Sequence, residues 1–283
     1  GYNEPQKLIA KDGINCHNRN IDIDFTKNCI FIKDNNKKNL FVLGGSQLSN
    51  QSFGLKKSLP EFNHYHITGS LHIYIPNFNK ILLSNNSTDI KFFELNNFSK
   101  KLLSSVNQET IILIGARYPV HIEKKYFDNL ESGSEPGIWN SYYEHLENPF
   151  RKWEEAFKEE IEELAKNKYI KIILLYPIPE VGFHVPNRLT KNYKFFSYNE
   201  IDTSYKVFKN RTKSSFQLLN SIKGKDIYRI YPHTFFCNNF IKNRCVTSNK
   251  KVIYYYDDDH LSEEGTKIIN ELIIGKIKEI SKD

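Results

Sequence analysis

The sequence contains no methionine and begins with glycine, although it has 283 residues. A chain without an initiator is expected to be a piece of a longer protein, or to carry a residue left by cloning. It also contains no apolar run of the roughly 18 to 20 residues that cross a bilayer. With 39% hydrophobic residues and a mean hydropathy of −0.55, the piece is predicted to be soluble and to have a substantial core.

Nucleic-acid motifs and arginine-rich tracts are absent, although the formal net charge is +7 and the isoelectric point is near 9.0. Such a charge would suit an anionic partner. The lysines, however, are scattered among asparagine and isoleucine along the whole chain. This pattern favours a solvated basic surface, and it predicts no nucleic-acid partner.

Cysteine is scarce, and its four residues fall into two local pairs, Cys16 with Cys29 and Cys237 with Cys245. Neither pair has the C-x-x-C spacing that is typical of zinc and redox sites. Four cysteines allow three disulfide connectivities, and four reduced thiols are a further alternative. Local bridges would each contribute about 2.5 to 3 kcal/mol through loop closure, and they would indicate an oxidising compartment.

The chain divides at about residue 38. Residues 1–38 are polar, rich in asparagine and lysine, and aperiodic apart from the short run Cys29-Ile30-Phe31-Ile32. We interpret them as an N-terminal extension or linker that a disulfide holds in place. Residues 39–283 are predicted to form the main domain.

Short apolar runs alternate with amphipathic segments from residue 39 onward. Strands are predicted at 40–43, 110–114, 169–176 and 227–231, with a strand-like stretch at 65–75 that Gly69 interrupts. Helices are predicted from about 46 to 59 and at 153–166, 208–222 and 264–281. Strands that are apolar on both faces indicate an α/β fold, in which helices cover both sides of a parallel sheet. Ligands bind such sheets beyond the carboxyl ends of the strands.

Residue types that acyl transfer requires follow these strands. The sequence Gly44-Gly45-Ser46 follows the first strand, and Asp257 to His260 follow an apolar run near the C-terminus. A serine hydroxyl needs a base to remove its proton, and an imidazole base needs a carboxylate to orient it. The spacing D-x-x-H predicts Asp257 as the partner of His260, and Asp258 and Asp259 are then expected to cap the final helix. A solvated acidic loop and an ordinary glycine turn are the alternative interpretations.

Several segments resemble the SGNH (GDSL-type) hydrolase fold. FVLGGSQL at 41–48 is similar to its first block, and YDDDHLS at 256–262, followed by Gly265, resembles its last block. PIPEVG at 177–182, and the two cysteines that precede DDDH, resemble more narrowly the C-terminal extracytoplasmic SGNH domain of acyltransferase family 3 membrane proteins. The resemblance covers about residues 39–280.

This resemblance implies a three-layer, flavodoxin-like α/β fold and chemistry through an acyl-serine. Ser46 would be the nucleophile, His260 the general base and then the acid, and Asp257 the residue that orients the imidazole. The N–H groups of Ser46 and of a second-block glycine, which we assign to Gly69, would stabilise the oxyanion. The resemblance implies no metal and no dissociable cofactor.

The resemblance also implies a function and a partner. Proteins of this kind acylate, usually acetylate, cell-envelope glycans such as lipopolysaccharide O-antigen. An N-terminal transmembrane acyltransferase domain, outside this piece, would deliver the acyl donor, and the domain itself would be periplasmic. An O-acyltransferase is therefore the predicted function. A carbohydrate or lipid esterase with the same triad and a degenerate, non-catalytic glycan-binding domain are the alternatives.

Two blocks depart from the family pattern. The first block has Gly45 where aspartate is usual, which puts the geometry of the turn in doubt. The third block should read G-x-N-D but reads Gly115-Ala116-Arg117-Tyr118, so it offers no asparagine donor. Arg117 is expected to donate to the oxyanion or to bind an anionic substrate group, or else to stabilise the strand end by ion pairing.

The remaining histidines and tryptophans are predicted to be structural. His64, His66 and His72 alternate along a strand-like stretch without an acidic partner, which indicates packing or surface residues rather than a metal site. Trp139 and Trp153 are predicted to pack in the core, with a role in lining a glycan groove as the alternative.

Overall fold

The structure is a computed structural model that describes residues 3–18, 20, 28–131, 133–194, 201–249 and 252–281, without the side chains of 191–194. Its strands are β1 (Ile30–Phe31), β2 (Asn39–Gly44), β3 (Asn63–Thr68), β4 (Phe78–Leu82), β5 (Ser87–Thr88), β6 (Thr110–Gly115), β7 (Ser141–His145), β8 (Ile170–Leu175), β9 (Asp202–Ser204), β10 (Ile227–Ile230), β11 (Arg244–Val246), β12 (Ser248–Asn249) and β13 (Val252–Ile253). Its helices are α1 (Ser46–Ser58), α2 (Ile90–Ser104), α3 (Tyr118–Glu123), α4 (Trp153–Leu164), α5 (Val185–Lys194), α6 (Tyr205–Ser221), α7 (His233–Phe236) and α8 (Glu263–Ile280). None of the helices in these ranges combines the length and the apolar character that a membrane span requires.

The central sheet has six strands in the order β1-β3-β2-β6-β8-β10. The five strands from β3 to β10 are parallel, and β1 pairs with β3 in the antiparallel direction. Numbered along the chain, the parallel strands have the order 2-1-3-4-5, which is that of flavodoxin-like sheets. The predicted α/β fold is confirmed, with one antiparallel edge strand added.

Each face of the sheet carries its own hydrophobic core. Side chains alternate along a strand, so Leu40 and Val42 of β2 face one core while Phe41 and Leu43 face the other. Helices α1 and α8 contribute to the first core, and α2 and α4 contribute to the second. The sheet is therefore the middle of three layers, which is why every residue of β2 is buried. Both tryptophans are buried as well, as predicted for packing residues.

Three histidines on and just after β3 are also buried. His64, His66 and His72 are 2%, 3% and 2% exposed, and the Nε2 atom of His64 lies 2.8 Å from the carbonyl oxygen of Leu59. Burial lowers the pKa of His72 to about 3, so that imidazole stays neutral. These side chains pack inside the domain, and none of them lies on the surface.

The N-terminal segment is attached to the edge of the sheet, at β3. Strand β1 pairs with β3, and the N–H of Asn18 donates to the carbonyl oxygen of Thr68 at 2.8 Å. A disulfide joins Cys16 to Cys29, and a second joins Cys237 to Cys245. Both local bridges are thus formed, whereas the boundary that we placed at residue 38 stays a prediction.

Candidate active site

The site lies at the carboxyl ends of β2 and β6, where the strand order reverses. A crevice opens at this position in doubly wound sheets, because the connections on its two sides lead to opposite faces. Strand β2 ends at Gly44 and passes through Gly45 into α1, whose first residue is Ser46. Strand β6 ends at Gly115 and is followed closely by Arg117. The fold therefore presents Ser46 at the edge where ligands bind.

The turn before Ser46 depends on its first glycine. Gly44 has a φ of +149°, and a Cβ atom at this position would overlap the carbonyl oxygen of Gly115. At Gly45, by contrast, the nearest atom to an added Cβ would be the carbonyl oxygen of His72 at 3.4 Å, which is an ordinary van der Waals distance. The N–H of Gly45 donates to the carbonyl oxygen of Gly115 at 3.1 Å. The missing aspartate at position 45 therefore leaves the turn intact.

Ser46, His260 and Asp257 form one chain of hydrogen bonds. The Oγ atom of Ser46 lies 2.7 Å from Nε2 of His260, across a separation of 214 residues in the sequence. The Nδ1 atom of the same imidazole lies 2.8 Å from Oδ2 of Asp257. The other oxygen of Asp257 accepts the backbone N–H of His260 at 2.7 Å and that of Asp259 at 3.0 Å. The structure thus brings together the three residues that the sequence proposed.

Asp259 is a second carboxylate at the same imidazole. Its Oδ1 atom lies 2.9 Å from Nδ1 of His260, and its Oδ2 atom lies 3.2 Å from Nη1 of Arg117. The expectation that Asp258 and Asp259 cap the final helix is wrong, because Ser262 holds that position and accepts the N–H of Gly265 at 3.2 Å. Two of the three carboxylates that precede His260, those of Asp257 and Asp259, therefore contact its imidazole.

The loop that carries His260 is anchored to neighbouring segments. The N–H of Val181 donates to the carbonyl oxygen of Asp258 at 2.8 Å, and that of Val185 donates to Asp257 at 3.2 Å. The ring of Tyr256 stacks on the imidazole of His260, with 5.6 Å between centroids. These contacts fix the loop before any ligand arrives, which favours a preorganised site.

The carboxylates control the charge of His260. Burial opposes the imidazolium, but the hydrogen bonds to Asp257 and Asp259 outweigh it and raise the pKa of His260 to about 10. Burial likewise opposes the carboxylate of Asp259, yet its bond to His260 and the charge of Arg117 hold its pKa below the usual range. At Asp258, burial and the neighbouring carboxylates raise the pKa of the carboxyl group to about 6. The two carboxylates on Nδ1 thus stabilise the protonated form of the imidazole.

Arg117 lies inside a cluster of carboxylates. Its guanidinium contacts Glu135, Glu180 and Asp259, with 2.7 Å from Nε to Glu180 and 3.0 Å from Nη1 to Glu135. Glu180, which is 5% exposed, also accepts Nε of Arg211 at 2.9 Å. An arginine has five N–H donors, and these contacts occupy its three nitrogens. Of the roles expected for Arg117, the geometry favours ion pairing.

Gly69 joins the end of β3 to the nucleophile turn. Its N–H donates to the carbonyl oxygen of Gly44 at 3.0 Å, so this donor is occupied in the structure. The next two residues, Ser70 and Leu71, line the cavity that contains Ser46. The loop predicted to supply the second oxyanion donor is therefore adjacent to the cavity.

A cavity of about 370 Å³ surrounds Ser46 and His260. Arg117 and Tyr256 form part of its wall, and residues 4–7 together with His17 form another part. The Nδ1 atom of His17 lies 3.3 Å from Oγ1 of Thr68, and burial lowers the pKa of this imidazole to about 4. Sequence reasoning missed this wall, because no periodicity or motif in residues 1–38 points toward the site.

One group of side chains has the composition of a metal site. Among the described residues, donor atoms of Asp257, Asp259 and His260 lie within 4.8 Å of one another. These same atoms are hydrogen-bonded to each other, with the imidazole as the donor to both carboxylates. The arrangement therefore serves the orientation of His260.

The chain is similar to several solved structures. The chain is similar to the periplasmic domain of a lipopolysaccharide acetyltransferase from Salmonella ser. Paratyphi A, with 16% identity, a TM-score of 0.60, and coverage of 93% of this chain and 90% of that chain. A family two carbohydrate esterase from Clostridium thermocellum matches with 14% identity, a TM-score of 0.36, and coverage of 86% and 63%. An acetyl xylan esterase from Butyrivibrio proteoclasticus matches with 10% identity, a TM-score of 0.34, and coverage of 87% and 66%.

Sequence comparison assigns the family. No curated protein sequence matches the chain. The family model described as an SGNH domain fused to AT3 domains matches residues 15–275, which is most of the chain. The chain therefore belongs to the family of SGNH domains that are fused to AT3 domains.

Proposed function

We propose that this chain transfers an acyl group, most simply acetyl, to a hydroxyl of a cell-envelope glycan such as lipopolysaccharide O-antigen. The observation that carries the proposal is the 2.7 Å contact between Oγ of Ser46 and Nε2 of His260, with two carboxylates on the opposite nitrogen. The fusion of this family to AT3 domains supports acyl transfer as the reaction. The likeness to a lipopolysaccharide acetyltransferase domain is consistent with a glycan as the acceptor.

The first half of the reaction loads Ser46. The reacting form is the one in which His260 is neutral. Its Nε2 atom takes the proton of Ser46 while Oγ attacks the carbonyl carbon of the acyl donor. Asp257 and Asp259 stabilise the imidazolium that forms. The tetrahedral intermediate then expels the leaving group of the donor, which takes the proton from His260, and an ester remains on Ser46.

The second half transfers the acyl group to the sugar. A glycan hydroxyl attacks the ester carbonyl and gives its proton to His260. Collapse of the second intermediate releases Oγ of Ser46, which recovers the proton from Nε2 of His260. The acylated glycan leaves, and the starting hydrogen bond between serine and histidine forms again.

The oxyanion of both intermediates needs donors close to Ser46. The first N–H groups of a helix have no partner within that helix, and they carry partial positive charge. Ser46 is the first residue of α1, so its own N–H is the first donor of the proposed hole. The loop that contains Gly69 is the proposed source of the second donor, since Ser70 and Leu71 of this loop line the cavity, whereas the N–H of Gly69 donates to Gly44 in the structure.

The proposal includes a partner and a location. A transmembrane acyltransferase domain, N-terminal to this chain in the same protein, supplies the acyl donor, in keeping with the fusion to AT3 domains in this family. The domain works in the periplasm. Two disulfides agree with that location, because such bridges persist in oxidising compartments.

Hydrolysis of 4-nitrophenyl acetate tests the serine chemistry. Wild-type protein should release nitrophenolate, and Ser46→Ala should lower the rate by about 10³-fold or more. A phosphonylating probe followed by mass spectrometry should label Ser46 in the wild type. A folded protein without label at Ser46 would favour the non-catalytic glycan-binding domain.

Addition of a glycan distinguishes a transferase from an esterase. The acetyl group should appear on the sugar, as a mass increase of the glycan, when de-O-acetylated envelope polysaccharide is added to the same reaction. Ester hydrolysis that continues at the same rate without any acetylated sugar would favour the esterase.

A further inference from the structure

A network of ion pairs extends from His260 to helix α6. Asp259 contacts Nδ1 of His260 through one oxygen, at 2.9 Å, and Nη1 of Arg117 through the other, at 3.2 Å. The Nε atom of Arg117 donates to Glu180 at 2.7 Å, and Nε of Arg211, on α6, donates to the other oxygen of Glu180 at 2.9 Å. The imidazole of His260 is therefore connected to a helix of the main domain by a continuous series of side-chain contacts.

Asp259 depends on its partners because its side chain is buried. The side chain is 8% exposed, compared with 25% for that of Asp257. A buried carboxylate that lacks a cation or hydrogen-bond donors takes up a proton instead of staying charged. Arg117 supplies a cation to the oxygen of Asp259 that is not bonded to His260. This contact keeps the carboxylate charged at the imidazole.

The guanidinium of Arg117 is itself held by two glutamates. One oxygen of Glu135 accepts Nη1 at 3.0 Å while the other accepts Nη2, and Glu180 accepts Nε. A two-point contact between a guanidinium and a carboxylate fixes the plane of the guanidinium. The direction in which Nη1 points toward Asp259 is therefore set by the protein. A lysine ammonium is a point charge and would not reproduce this geometry.

The two glutamates also balance the two arginines of the network by formal charge. The negative charge of Asp259 is then left over and can act on the imidazolium of His260. Attraction within a buried network is largely offset by the desolvation of its charges, so such a network contributes little to stability. Its effect is expected at its end, where Asp259 contacts the imidazole.

We propose that Arg117 is a positioning residue of the active site, which holds Asp259 against Nδ1 of His260 and so keeps a second carboxylate on the base. Glu135 and Glu180 fix the guanidinium in the orientation that this requires. The inference rests on the proposed function, since it gives Arg117 a part in the same serine chemistry. It also assigns a role to the arginine of the third block, which acts through the base and not at the oxyanion.

Proteins that retain only one of the two carboxylates test this role. In Asp257→Asn protein, Asp259 is the carboxylate that remains at Nδ1 of His260, whereas in Asp259→Asn protein it is Asp257 that remains. Two substitutions are then added to each, Arg117→Lys, which keeps the charge, and Arg117→Gln, which removes it. Hydrolysis of 4-nitrophenyl acetate is measured per amount of folded protein.

The effect of Arg117 should depend on Asp259. In Asp257→Asn protein, Arg117→Gln should lower kcat/KM by about 10- to 100-fold and Arg117→Lys by about 3- to 10-fold, as for residues that are coupled through a contact. In Asp259→Asn protein, neither substitution should change kcat/KM. The smaller loss with lysine would show partial rescue by a residue of the same charge.

An arginine elsewhere in the domain provides the matched control. Arg244 on β11 pairs with Glu131 and Asp202, at 2.7 and 2.6 Å. Arg244→Lys should leave kcat/KM unchanged in both proteins. The midpoint of thermal unfolding, measured for each variant, reports folding. Because Arg117→Lys keeps the charge inside the network, it provides the test even if Arg117→Gln does not fold.

A second measurement reports the hydrogen bond itself and needs no turnover. At pH 5, the Nδ1 proton of His260 should give a far-downfield ¹H NMR resonance, because a carboxylate accepts it in a short, charge-assisted bond. Labelling of histidine with ¹⁵N assigns the resonance. In Asp257→Asn protein, adding Arg117→Lys should move this resonance upfield or abolish it, whereas Arg244→Lys should leave it in place.

The outcomes separate this inference from the proposed function. Equal losses from Arg117→Lys in the Asp257→Asn and Asp259→Asn proteins would overturn it, because the effect would then not pass through Asp259. An unchanged rate and resonance in Asp257→Asn protein would also overturn it. Wild-type protein without ester hydrolysis or labelling of Ser46 would refute the serine chemistry, and the Nδ1 resonance would still decide whether Arg117 positions Asp259.

Discussion

The Oδ1 atom of Asp259 lies 2.9 Å from Nδ1 of His260, the same nitrogen that Oδ2 of Asp257 approaches at 2.8 Å. One N–H is thus shared between two carboxylates. Asp257 also accepts two backbone N–H groups, whereas Asp259 is held by Arg117. The two carboxylates are held by different partners, so we expect each to orient the imidazole when the other is absent.

Removal of either carboxylate alone, that of Asp257 or that of Asp259, should therefore lower the rate of ester hydrolysis only partly. Asp257→Asn and Asp259→Asn are each expected to lower kcat/KM for 4-nitrophenyl acetate by about 10- to 100-fold. The double variant should lose about 10⁴-fold, as expected for a triad without its acid. A full loss in Asp257→Asn alone would show that Asp259 does not support His260.

The pH dependence of ester hydrolysis should follow the charge of His260. Because the general base must be neutral, and its pKa is raised to about 10, kcat/KM should rise about tenfold for each pH unit through the neutral range. Rates from Ser46→Ala protein, subtracted at each pH, remove the background of alkaline hydrolysis. Asp259→Asn removes one of the bonds that raise this pKa, so its profile should shift toward lower pH. A shift toward higher pH would contradict the shared bond.

Asp258 should destabilise the folded domain at neutral pH. Burial raises its folded-state pKa from 3.8 to about 6, so the folded state binds the proton more tightly than the unfolded chain does. Its favourable contribution is present below a pH of about 4 and is lost as the pH rises through about 6. Asp258→Asn should then raise the free energy of unfolding by about 1 to 2 kcal/mol at pH 8, allowing for partial exposure. Urea unfolding at pH 4 should show little difference, and an equal gain at both pH values would refute the assignment.

The two glycines before the nucleophile should respond differently to alanine. Gly44→Ala forces its methyl group into the carbonyl oxygen of Gly115, so we expect little folded protein and no ester hydrolysis. Gly45→Ala meets no atom closer than 3.4 Å and should fold with activity that remains measurable. Circular dichroism and 4-nitrophenyl acetate turnover check both. Equal tolerance at the two positions would mean that the turn adopts another conformation.

The strands and the hydrogen-bonded serine, histidine and aspartate could be predicted because their signals are local. Strands β2, β6 and β8 are apolar on both faces, and the residues that follow them must meet at one edge of a parallel sheet. The D-x-x-H spacing indicated the pair Asp257 and His260 for the same reason, since both residues lie within one turn.

Other parts of the fold and of the site depend on contacts between distant segments, which no local sequence pattern indicates. Helix α2 was missed because polar residues interrupt its apolar face. Asn96 is buried there and accepts the N–H of Ile75 at 2.8 Å, a bond between segments 21 residues apart. The carboxylates around Arg117 come from positions 18, 63 and 142 residues further along the chain. In the sequence alone, nothing distinguishes these acidic residues from ordinary solvated ones. Only the fold brings them together around Arg117.

The disulfide between Cys16 and Cys29 joins two structural roles in one covalent unit. Cys16 precedes His17, which lines the cavity, and Cys29 precedes β1, which covers the outer edge of β3. An uncovered strand edge is a template for pairing with another chain. Reduction of this disulfide would therefore loosen the wall of the cavity and expose the unpaired edge of β3 at the same time. Loss of acceptor selectivity and the onset of self-association would then share one cause.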